Sequence, residues 1–229
     1  MNVQFLGHSC VRITTGGTRL LIDPFLSGNP LAGAKADDLE ADYVLLTHAH
    51  GDHIADAASI AVRTGATVVA TFELAQYMRW QGAKTHEMNL GGSFRFDFGT
   101  VQMVPGFHSS GIVNEETKTI VYGGMPAGFV LTLEGKRIYH AGDTCLFSDM
   151  KLIAAKGAVD LAFLPIGDNY TMGPDDALTA AEWVQAKAVV PLHYNTFPVI
   201  RQNAEQFAAA LNERGIRGIV LEPGQSTQL

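Results

Sequence analysis

Apolar residues along the chain alternate between short runs that suit strands and longer stretches at helical spacing. The segment Asp42–Thr47 is apolar and partly β-branched, which predicts a buried strand. The segment Ile54–Thr64 is alanine-rich with apolar residues at helical spacing, which predicts a helix. The same order recurs in a strand at Thr67–Ala70 and a helix at Phe72–Gln81. This alternation favours a layered α/β domain.

Further short runs predict additional strands, several of them joined as hairpins. These strands are Val3–Phe5, Cys10–Thr14, Arg19–Asp23, Ser93–Phe98, Thr100–Val104, Thr119–Tyr122, Gly128–Leu133, Arg137–His140, Asp160–Pro165, Ala188–Leu192 and Gly218–Leu221. Helices are expected from Pro174, because proline suits a first helical position, and over Asn203–Arg214. The order of elements loosely repeats, so we expect residues 1–229 to form one domain of two similar halves that meet near residue 120.

Composition narrows the class of protein. Hydrophobic residues make up 47% of the chain, and 16 Lys and Arg against 23 Asp and Glu give a net charge of −7. An acidic chain is a poor non-specific nucleic-acid binder, and no apolar run reaches the roughly 20 residues of a membrane helix. The chain has two cysteines, Cys10 and Cys145, and both are expected to be buried thiols. Its first residues do not have the pattern of a secretory leader. We therefore expect a cytoplasmic protein that neither binds nucleic acid nor inserts into a membrane; a homo-oligomer is compatible with these features.

Candidate metal ligands concentrate in the turn Thr47–His53, where four such side chains fall within six residues. His48 and His50 lie two apart, so in an extended backbone they point the same way and can converge on one cation. A glycine then permits a sharp bend, after which Asp52 and His53 face another direction, as a second cation would require. The alternative is a helix start with an aspartate cap and incidental histidines, which this combination of ligand types disfavours.

This turn resembles the signature of the metallo-β-lactamase-fold superfamily, and further candidate ligands follow in the expected order at His108, Asp143 and His193. The resemblance implies an α/β fold, a four-layer αββα sandwich of two mixed β-sheets flanked by helices. It also implies two metal ions between the sheets. More narrowly, Gly7-His8-Ser9 and His193-Tyr194-Asn195-Thr196 resemble a branch of uncharacterised metal-dependent hydrolases that is similar to ascorbate-6-phosphate lactonase-like enzymes.

The resemblance also implies a ligand set for two divalent ions. One ion would be held by His48, His50 and His108, the other by Asp52, His53 and His193, and Asp143 would bridge them. Three histidines with an open position suit zinc, and manganese, iron, nickel and cobalt accept the same ligand types. Two such ions lower the pKa of bound water towards neutrality. Asp52 and Asp143 are the candidate catalytic proton acceptors.

Five further residues are candidates for supporting the ligands or contacting substrate: His8, Asp23, His140, Tyr170 and Asn195. Asp23 ends an apolar strand, and it either caps a turn or steadies the loop of His48. The branch resemblance gives His8 a place beside the ligands, and Tyr170 follows a strand in a loop that could line a pocket. The segment Phe25–Asp38 shows no clear period and is interpreted as a mobile loop that could act as a lid.

Together these features predict a hydrolase that uses a metal-bridging hydroxide to cleave a small-molecule ester, lactone or phosphodiester. Among related proteins, flavodiiron oxidoreductases place a glutamate where His50 stands, and antibiotic-hydrolysing β-lactamases place a cysteine where Asp143 stands. Both differences argue against those activities. A non-catalytic metal-binding or regulatory protein is the main alternative, and a di-iron oxidoreductase that uses the same nitrogen-rich site is another.

Overall fold

The computed structural model describes residues 1–229, which form sixteen strands, five α-helices and three short 3₁₀ helices. The strands are β1 Asn2–Gly7, β2 Cys10–Thr15, β3 Thr18–Ile22, β4 Tyr43–Leu45, β5 Thr67–Thr71, β6 Lys84–Met88, β7 Ser93–Phe96, β8 Gly99–Pro105, β9 Gly111–Asn114, β10 Thr119–Tyr122, β11 Ala127–Leu133, β12 Lys136–His140, β13 Leu161–Pro165, β14 Ala188–Leu192, β15 Arg217–Gly218 and β16 Ser226–Gln228. The α-helices are α1 Gly51–Ile54, α2 Ala57–Thr64, α3 Phe72–Trp80, α4 Pro174–Trp183 and α5 Ala204–Glu213. The 3₁₀ helices are Ala36–Asp38, Ser148–Lys156 and Pro198–Ile200. No helix combines the length and the apolar character needed to cross a bilayer.

Most strands belong to two mixed sheets of seven strands each. The first has the order β16-β1-β2-β3-β4-β5-β6, and the second has the order β15-β14-β13-β12-β11-β8-β7. In the first sheet an antiparallel meander of β1, β2 and β3 continues into the parallel strands β4, β5 and β6. In the second, antiparallel β7, β8 and β11 lead into β12, after which β13, β14 and β15 pair in parallel. The chain changes sheet between β6 and β7, before the junction near residue 120 expected for its two halves.

Three hydrophobic cores separate four layers. The sheets pack face to face around 22 buried residues, including Phe5 and Ile22 from the first sheet and Phe129 and Phe163 from the second. Helices α2 and α3 cover the outer face of the first sheet over a core of 19 residues. Helices α4 and α5 and the 3₁₀ helix Ser148–Lys156 cover the second sheet over a core of 22 residues. Each fully buried Leu or Phe contributes about 1.5–3 kcal/mol. The predicted αββα sandwich is confirmed.

The predicted helix over Ile54–Thr64 is wrong in its first turn. Helix α1 ends at Ile54, and α2 starts only after Asp56. The reason is that Asp56 bonds to a neighbouring loop instead of continuing one helix: its backbone N–H donates to Pro24 O at 3.1 Å. Its carboxylate also accepts the backbone N–H groups of Leu26 and Ser27 at 2.7 and 2.9 Å. The chain therefore turns between two short helices just after the histidine-rich turn.

The same contacts anchor the start of the segment Phe25–Asp38, interpreted above as a mobile loop that could act as a lid. Phe25 and Leu26 are buried, and the N–H of Gly33 donates to Leu6 O at 2.9 Å. A Cβ on Gly33 would lie 2.2 Å from the backbone nitrogen of Gly224, so the backbones are in close contact here. The segment is thus packed against the domain at its start and at Gly33, while most of its other residues are exposed.

Strands β6, β9 and β16 were not predicted from the sequence. Strand β6, with the sequence Lys-Thr-His-Glu-Met, is an edge strand, and β16 lies at the opposite edge of the same sheet. Strand β9 pairs with the predicted β10 as a separate antiparallel hairpin outside both large sheets. The predicted strand Gly218–Leu221 is wrong in extent, because pairing with β14 covers only Arg217–Gly218. Edge strands and isolated hairpins bury too little surface to impose a clear apolar period.

Candidate metal centre

The predicted ligands lie together at one edge of the sandwich, although they come from both sheets. The turn after β4 supplies His48, His50, Asp52 and His53, and segments after β8, β12 and β14 supply His108, Asp143 and His193. Strand β4 runs parallel to β3 and β5, and β12 runs parallel to β13 and β14. The carboxyl ends of neighbouring parallel strands share an edge, which is where ligands commonly bind in α/β sheets.

Three overlapping groups of side chains have ligand atoms within 4.8 Å of one another. The groups are His48, His50 and His108; His8, Asp52, His53 and His193; and His48, His53 and Asp143. All seven residues predicted as ligands are therefore brought together, and His8 joins them. The first group is the predicted triad of one ion, and the second contains the predicted terminal ligands of the other.

The carboxylate of Asp143 lies at the centre of this cluster. Its Oδ2 atom is 3.0 Å from the Nε2 atom of His193, 3.4 Å from that of His53, 3.6 Å from that of His108 and 3.9 Å from that of His48. The carboxylate is almost fully buried, and its Oδ1 atom has no hydrogen-bond partner. One oxygen is thus within reach of histidines from both predicted metal positions.

A second buried carboxylate, Asp23, holds the histidine turn in place. Its Oδ1 accepts the backbone N–H of Thr47 at 2.8 Å, and its Oδ2 accepts the Thr47 hydroxyl at 2.6 Å and His53 Nδ1 at 2.8 Å. Because the Thr47 hydroxyl proton points at Asp23, its oxygen accepts the Nδ1–H of His48 at 3.0 Å. Both histidines therefore carry hydrogen on Nδ1, which directs the Nε2 lone pairs into the cluster as metal ligation requires.

Burial and neighbouring charge set the protonation states in the cluster. Burial lowers the pKa of the first triad, His48, His50 and His108, so these imidazoles are neutral near pH 7. Burial opposes ionisation of Asp143, but His193 and His53 outweigh it and hold the pKa of this carboxyl well below its usual value. Burial also opposes a charge on His53, but Asp143 and Asp23 on either side raise its pKa well above the usual value. The His53 ring therefore lies between two carboxylates, with Nδ1 2.8 Å from Asp23 and Nε2 3.4 Å from Asp143, a place that favours positive charge such as that of a bound cation.

The donor set fits divalent cations. The Nε2 atom of His53, the Oδ1 atom of Asp143 and the Nδ1 atom of His193 are buried without a hydrogen-bond partner. His193 Nδ1 faces Gly167, but the other two atoms lie within the cluster. A buried polar atom left unpaired costs about 1–3 kcal/mol, so these two call for a further interaction. Imidazole nitrogens with carboxylate oxygens are the ligand combination of zinc and related ions.

His8 sits on a strained turn and contacts Asp52. Its φ is 56° and that of Gly7 is 106°; a Cβ on Gly7 would lie 2.6 Å from Leu31 O. Burial lowers the pKa of His8 to about 4, so the ring is neutral. Its Nε2–H donates to Asp52 Oδ2 at 3.2 Å, and its Nδ1 accepts the hydroxyl of Thr196 at 2.9 Å. Burial disfavours the Asp52 charge, yet the His8 hydrogen bond and the adjacent His53 lower the pKa of Asp52 below its ordinary value.

The remaining supporting candidates have different surroundings. His140 donates from Nε2 to Ser9 O at 3.0 Å and accepts the backbone N–H of Gly142 on Nδ1 at 3.2 Å, so it fixes the backbone before the central aspartate. The Oδ1 atom of Asn195, two residues after His193, accepts the backbone N–H of Gln202 at 2.9 Å. Tyr170 is 56% exposed. His140 therefore contacts the backbone next to Asp143, whereas Asn195 and Tyr170 form no hydrogen bond with a predicted ligand.

Hydroxyl groups next to the ligands went unrecognised in the sequence. Besides Thr47 and Thr196, Ser109 Oγ lies 3.3 Å from His50 Nε2, and Ser110 Oγ accepts the backbone N–H of Ala49 at 3.1 Å. All four hydroxyls are within three residues of a predicted ligand, and this proximity in sequence could have predicted their place beside the ligands. The expectation that both cysteines are buried is wrong for Cys145, because it lies in an exposed loop; Cys10 is fully buried.

A cavity of about 510 Å³ opens beside the cluster and is lined by His50 and His108 together with the β9–β10 hairpin. A larger cleft of about 720 Å³, lined by Leu26, Asp37 and Asp56 among others, contains none of the predicted ligands. A molecule in the smaller cavity can therefore reach two of the predicted metal ligands.

Comparison with known proteins gives a consistent result. A family model described as "Beta-lactamase superfamily domain" matches residues 18–194. A UPF0173 metal-dependent hydrolase of Bacillus cereus (strain Q1) is 57% identical over 100% of both chains. Igni18, a metallo hydrolase from the archaeon Ignicoccus hospitalis, superposes with a TM-score of 0.88 at 34% identity and covers 99% of this chain and 97% of its own. CmlA, a diiron β-hydroxylase from Streptomyces venezuelae, has a TM-score of 0.79 at 16% identity over 100% of this chain and 54% of its own, a likeness of fold alone.

Proposed function

Since this chain belongs to the metallo-β-lactamase superfamily and is a metal-dependent hydrolase like its UPF0173 relatives, we propose that it works with two divalent cations. We propose as substrate a small-molecule ester, lactone or phosphodiester. The observation that carries the proposal is the position of Asp143 Oδ2, 3.0–3.9 Å from four imidazole Nε2 atoms that belong to two ligand groups. A carboxylate at such a position is suited to hold two cations at once.

The ligand roles follow from the three groups. His48, His50 and His108 would hold one cation, Asp52, His53 and His193 would hold the other, and Asp143 would bridge them. His8 falls outside the proposed ligand set because its Nε2–H is donated to Asp52. Five imidazoles with two carboxylates favour zinc, and manganese, iron, nickel and cobalt accept the same groups.

When bound, the pair of cations would supply a hydroxide near neutral pH and polarise the oxygen of the scissile group. The chain's own residues would accept the proton and orient the metal ligands. The Asp52 side chain is 28% exposed and that of Asp143 is 2% exposed, so Asp52 is the carboxylate placed to take up a proton and pass it to solvent. His8 fixes the orientation of Asp52, and Asp23 fixes the turn that presents the first two histidines.

Metal analysis joined to a substrate panel tests the proposal. The protein is stripped with a chelator, reloaded with zinc or manganese, and assayed on p-nitrophenyl esters, lactones and bis(p-nitrophenyl) phosphate. We expect two ions per chain and turnover that disappears on stripping and returns on reloading. Asp143→Ala should abolish turnover while its circular dichroism spectrum stays close to that of the parent.

Each failure points to a different alternative. One ion per chain at saturation would contradict the dinuclear site. Full loading without turnover on the whole panel would favour a non-catalytic metal-binding protein. Tight iron binding with reversible redox spectra would favour a di-iron oxidoreductase.

A further inference from the structure

The hairpin of β9 and β10 presents an apolar face that no other part of the chain covers. In its register Val113 pairs with Ile120 and Gly111 pairs with Tyr122. Residues two apart in a strand point to the same side, so these four residues share one face. Val113 is 60% exposed, Ile120 is 74% exposed and Tyr122 is 62% exposed. Large side chains exposed together in this way are a common mark of a binding surface.

The opposite face of the hairpin is attached to the domain. Ile112, which pairs with Val121 on that face, packs against the core outside the first sheet. At the hairpin base the N–H of Gly123 donates to Ser110 O, and Ser110 Oγ accepts the N–H of Ala49 in the histidine turn. A Cβ on Gly123 would lie 2.2 Å from that of Ala49, so hairpin and turn are in direct contact. The exposed face is therefore held at a fixed place beside the metal ligands.

The exposed face lines the 510 Å³ cavity into which His50 and His108 project. The volume lies within the roughly 300–1,000 Å³ of small-molecule sites, which are mostly apolar with a few polar groups. None of the eleven lining residues is lysine, arginine, aspartate or glutamate. Away from the proposed cations, the cavity therefore offers no charged side chain to a substrate, and its lining suits an uncharged apolar group.

We propose that this cavity binds the apolar acyl chain of an uncharged ester or lactone, with the acyl chain against Val113, Ile120 and Tyr122 and the scissile carbonyl towards His50 and His108. The assignment rests on the proposed hydrolase function and narrows its substrate class. A second protein chain seated on the same face would close this cavity over His50 and His108, so a small molecule is the occupant that agrees with a working site.

Binding of product-like acids tests the acyl site without turnover. Butanoate, hexanoate and octanoate are titrated into the zinc-loaded protein by calorimetry. Affinity should rise about fourfold per methylene where the chain is fully buried, and about twofold where the cleft stays open to water. The kcat/KM values for p-nitrophenyl butanoate, hexanoate and octanoate should rise in the same order, mainly through KM.

Two neighbouring positions provide a matched pair of variants. Ile120→Ser changes the cavity face and should flatten the dependence on chain length. Val121→Ser changes the opposite face of the same strand and should leave the dependence on chain length unchanged. Val113→Ser serves as a second cavity-face variant if Ile120→Ser fails to fold by circular dichroism.

Several results would overturn the acyl site. Affinity independent of chain length, equal effects of Ile120→Ser and Val121→Ser, or faster cleavage of bis(p-nitrophenyl) phosphate than of the hexanoate ester would each do so. The acyl site would also be overturned if the parent protein sedimented as a dimer and Ile120→Ser sedimented as a monomer. If longer acids bind more tightly but no ester is hydrolysed, the acyl site is supported and the hydrolase function is contradicted. If esters are hydrolysed at rates independent of chain length, the hydrolase function is supported and the acyl site is contradicted.

Discussion

At the scale of single residues, the metal centre depends on hydrogen bonds that orient the ligands. Asp23 uses two oxygens to accept three donors, from the Thr47 backbone, the Thr47 hydroxyl and His53. It is fully buried and has a φ of 46°, so the chain accepts a strained backbone at this position. A carboxylate is required because each of its oxygens faces hydrogen-bond donors.

Asp23→Asn should weaken metal binding. The amide keeps one acceptor oxygen and turns an NH₂ group towards donors, so His53 loses the contact that keeps hydrogen on Nδ1. We expect zinc affinity to fall about 10- to 100-fold, in a competition titration against a chromogenic chelator. The control is Asp42→Asn, which breaks an ion pair with Arg19 at the other end of β4. Equal losses in the two variants would show that Asp23 has no specific role at the site.

His8→Ala should affect one cation more than the other. His8 donates to Asp52, a proposed ligand of the second ion, and contacts none of the first triad through a hydrogen bond. We expect metal analysis at limiting zinc to show one tightly held ion per chain and a second held at least tenfold more weakly than in the parent. His86→Ala in edge strand β6 is the control, because His86 packs against Phe94 away from the ligands. Unchanged affinity for both ions in His8→Ala would remove its positioning role.

The grouping of the candidate ligands could be predicted because four of them share one short turn and the others follow in the order that the superfamily resemblance implies. His8 and Asp23 were also predicted as supporting residues, but most of their hydrogen-bond partners could not be predicted. His8 meets Thr196 across 188 positions of sequence, and Asp23 meets His53 across 30. Such pairs depend on the packing of whole sheets, and the local sequence around a single histidine, threonine or aspartate does not predict its partner.

At the scale of elements, the ends of strands place the ligands, and small residues let these ends approach. Gly142 precedes Asp143 with a φ of 62°, and a Cβ there would lie 2.8 Å from Ala127 O and from Thr47 Cβ. The Ala127 N–H also donates to Thr47 O at 2.9 Å. The loop after β12 is thus pressed against the end of β4, which brings Asp143 to the histidine turn.

Gly142→Ala should separate these two loops. We expect a loss of about 1–3 kcal/mol in the free energy of unfolding measured with urea, together with weaker metal binding. Gly135→Ala is the matched control, because Gly135 has a φ of 77° but no atom within 4 Å of its would-be Cβ. The free energy of unfolding of Gly135→Ala should fall only by the cost of placing alanine at a positive φ, and its metal affinity should not change. The close approach would be of no consequence if both variants lost the same stability and bound metal equally.

Strong periods in the sequence explain why most elements were predicted well. Helix α5 has Asn203 as its cap, which accepts the N–H of Gln206 at 3.0 Å, and α4 begins at Pro174 as expected. Prediction failed where tertiary contacts decide local structure. The break at Asp56 arises from bonds to a loop some 30 residues earlier, and β9 exists only through its pairing with β10.

At the scale of the whole molecule, the metal centre lies across the two sheets. The histidine turn belongs to the first sheet, and His108, Asp143 and His193 belong to the second. Backbone hydrogen bonds already join the sheets here, from Ala127 N to Thr47 O and from His193 N to His8 O, both at 2.9 Å. Cations held by residues from both sides would add a further link between the halves of the sandwich.

Removing the metal should therefore lower the stability of the entire domain. A ligand that binds only the folded state stabilises it by about 4 kcal/mol at a free concentration 1,000-fold above its Kd. For a domain of this size that corresponds to a rise in Tm of roughly 8–16 °C. Differential scanning calorimetry should show this shift when zinc is added back to chelated protein, in one cooperative transition. In Asp143→Asn, which weakens the proposed bridge, the shift should be much smaller. A parent protein whose Tm is the same with and without zinc, or a variant with the full shift, would contradict the view that the ions bind between the sheets through Asp143.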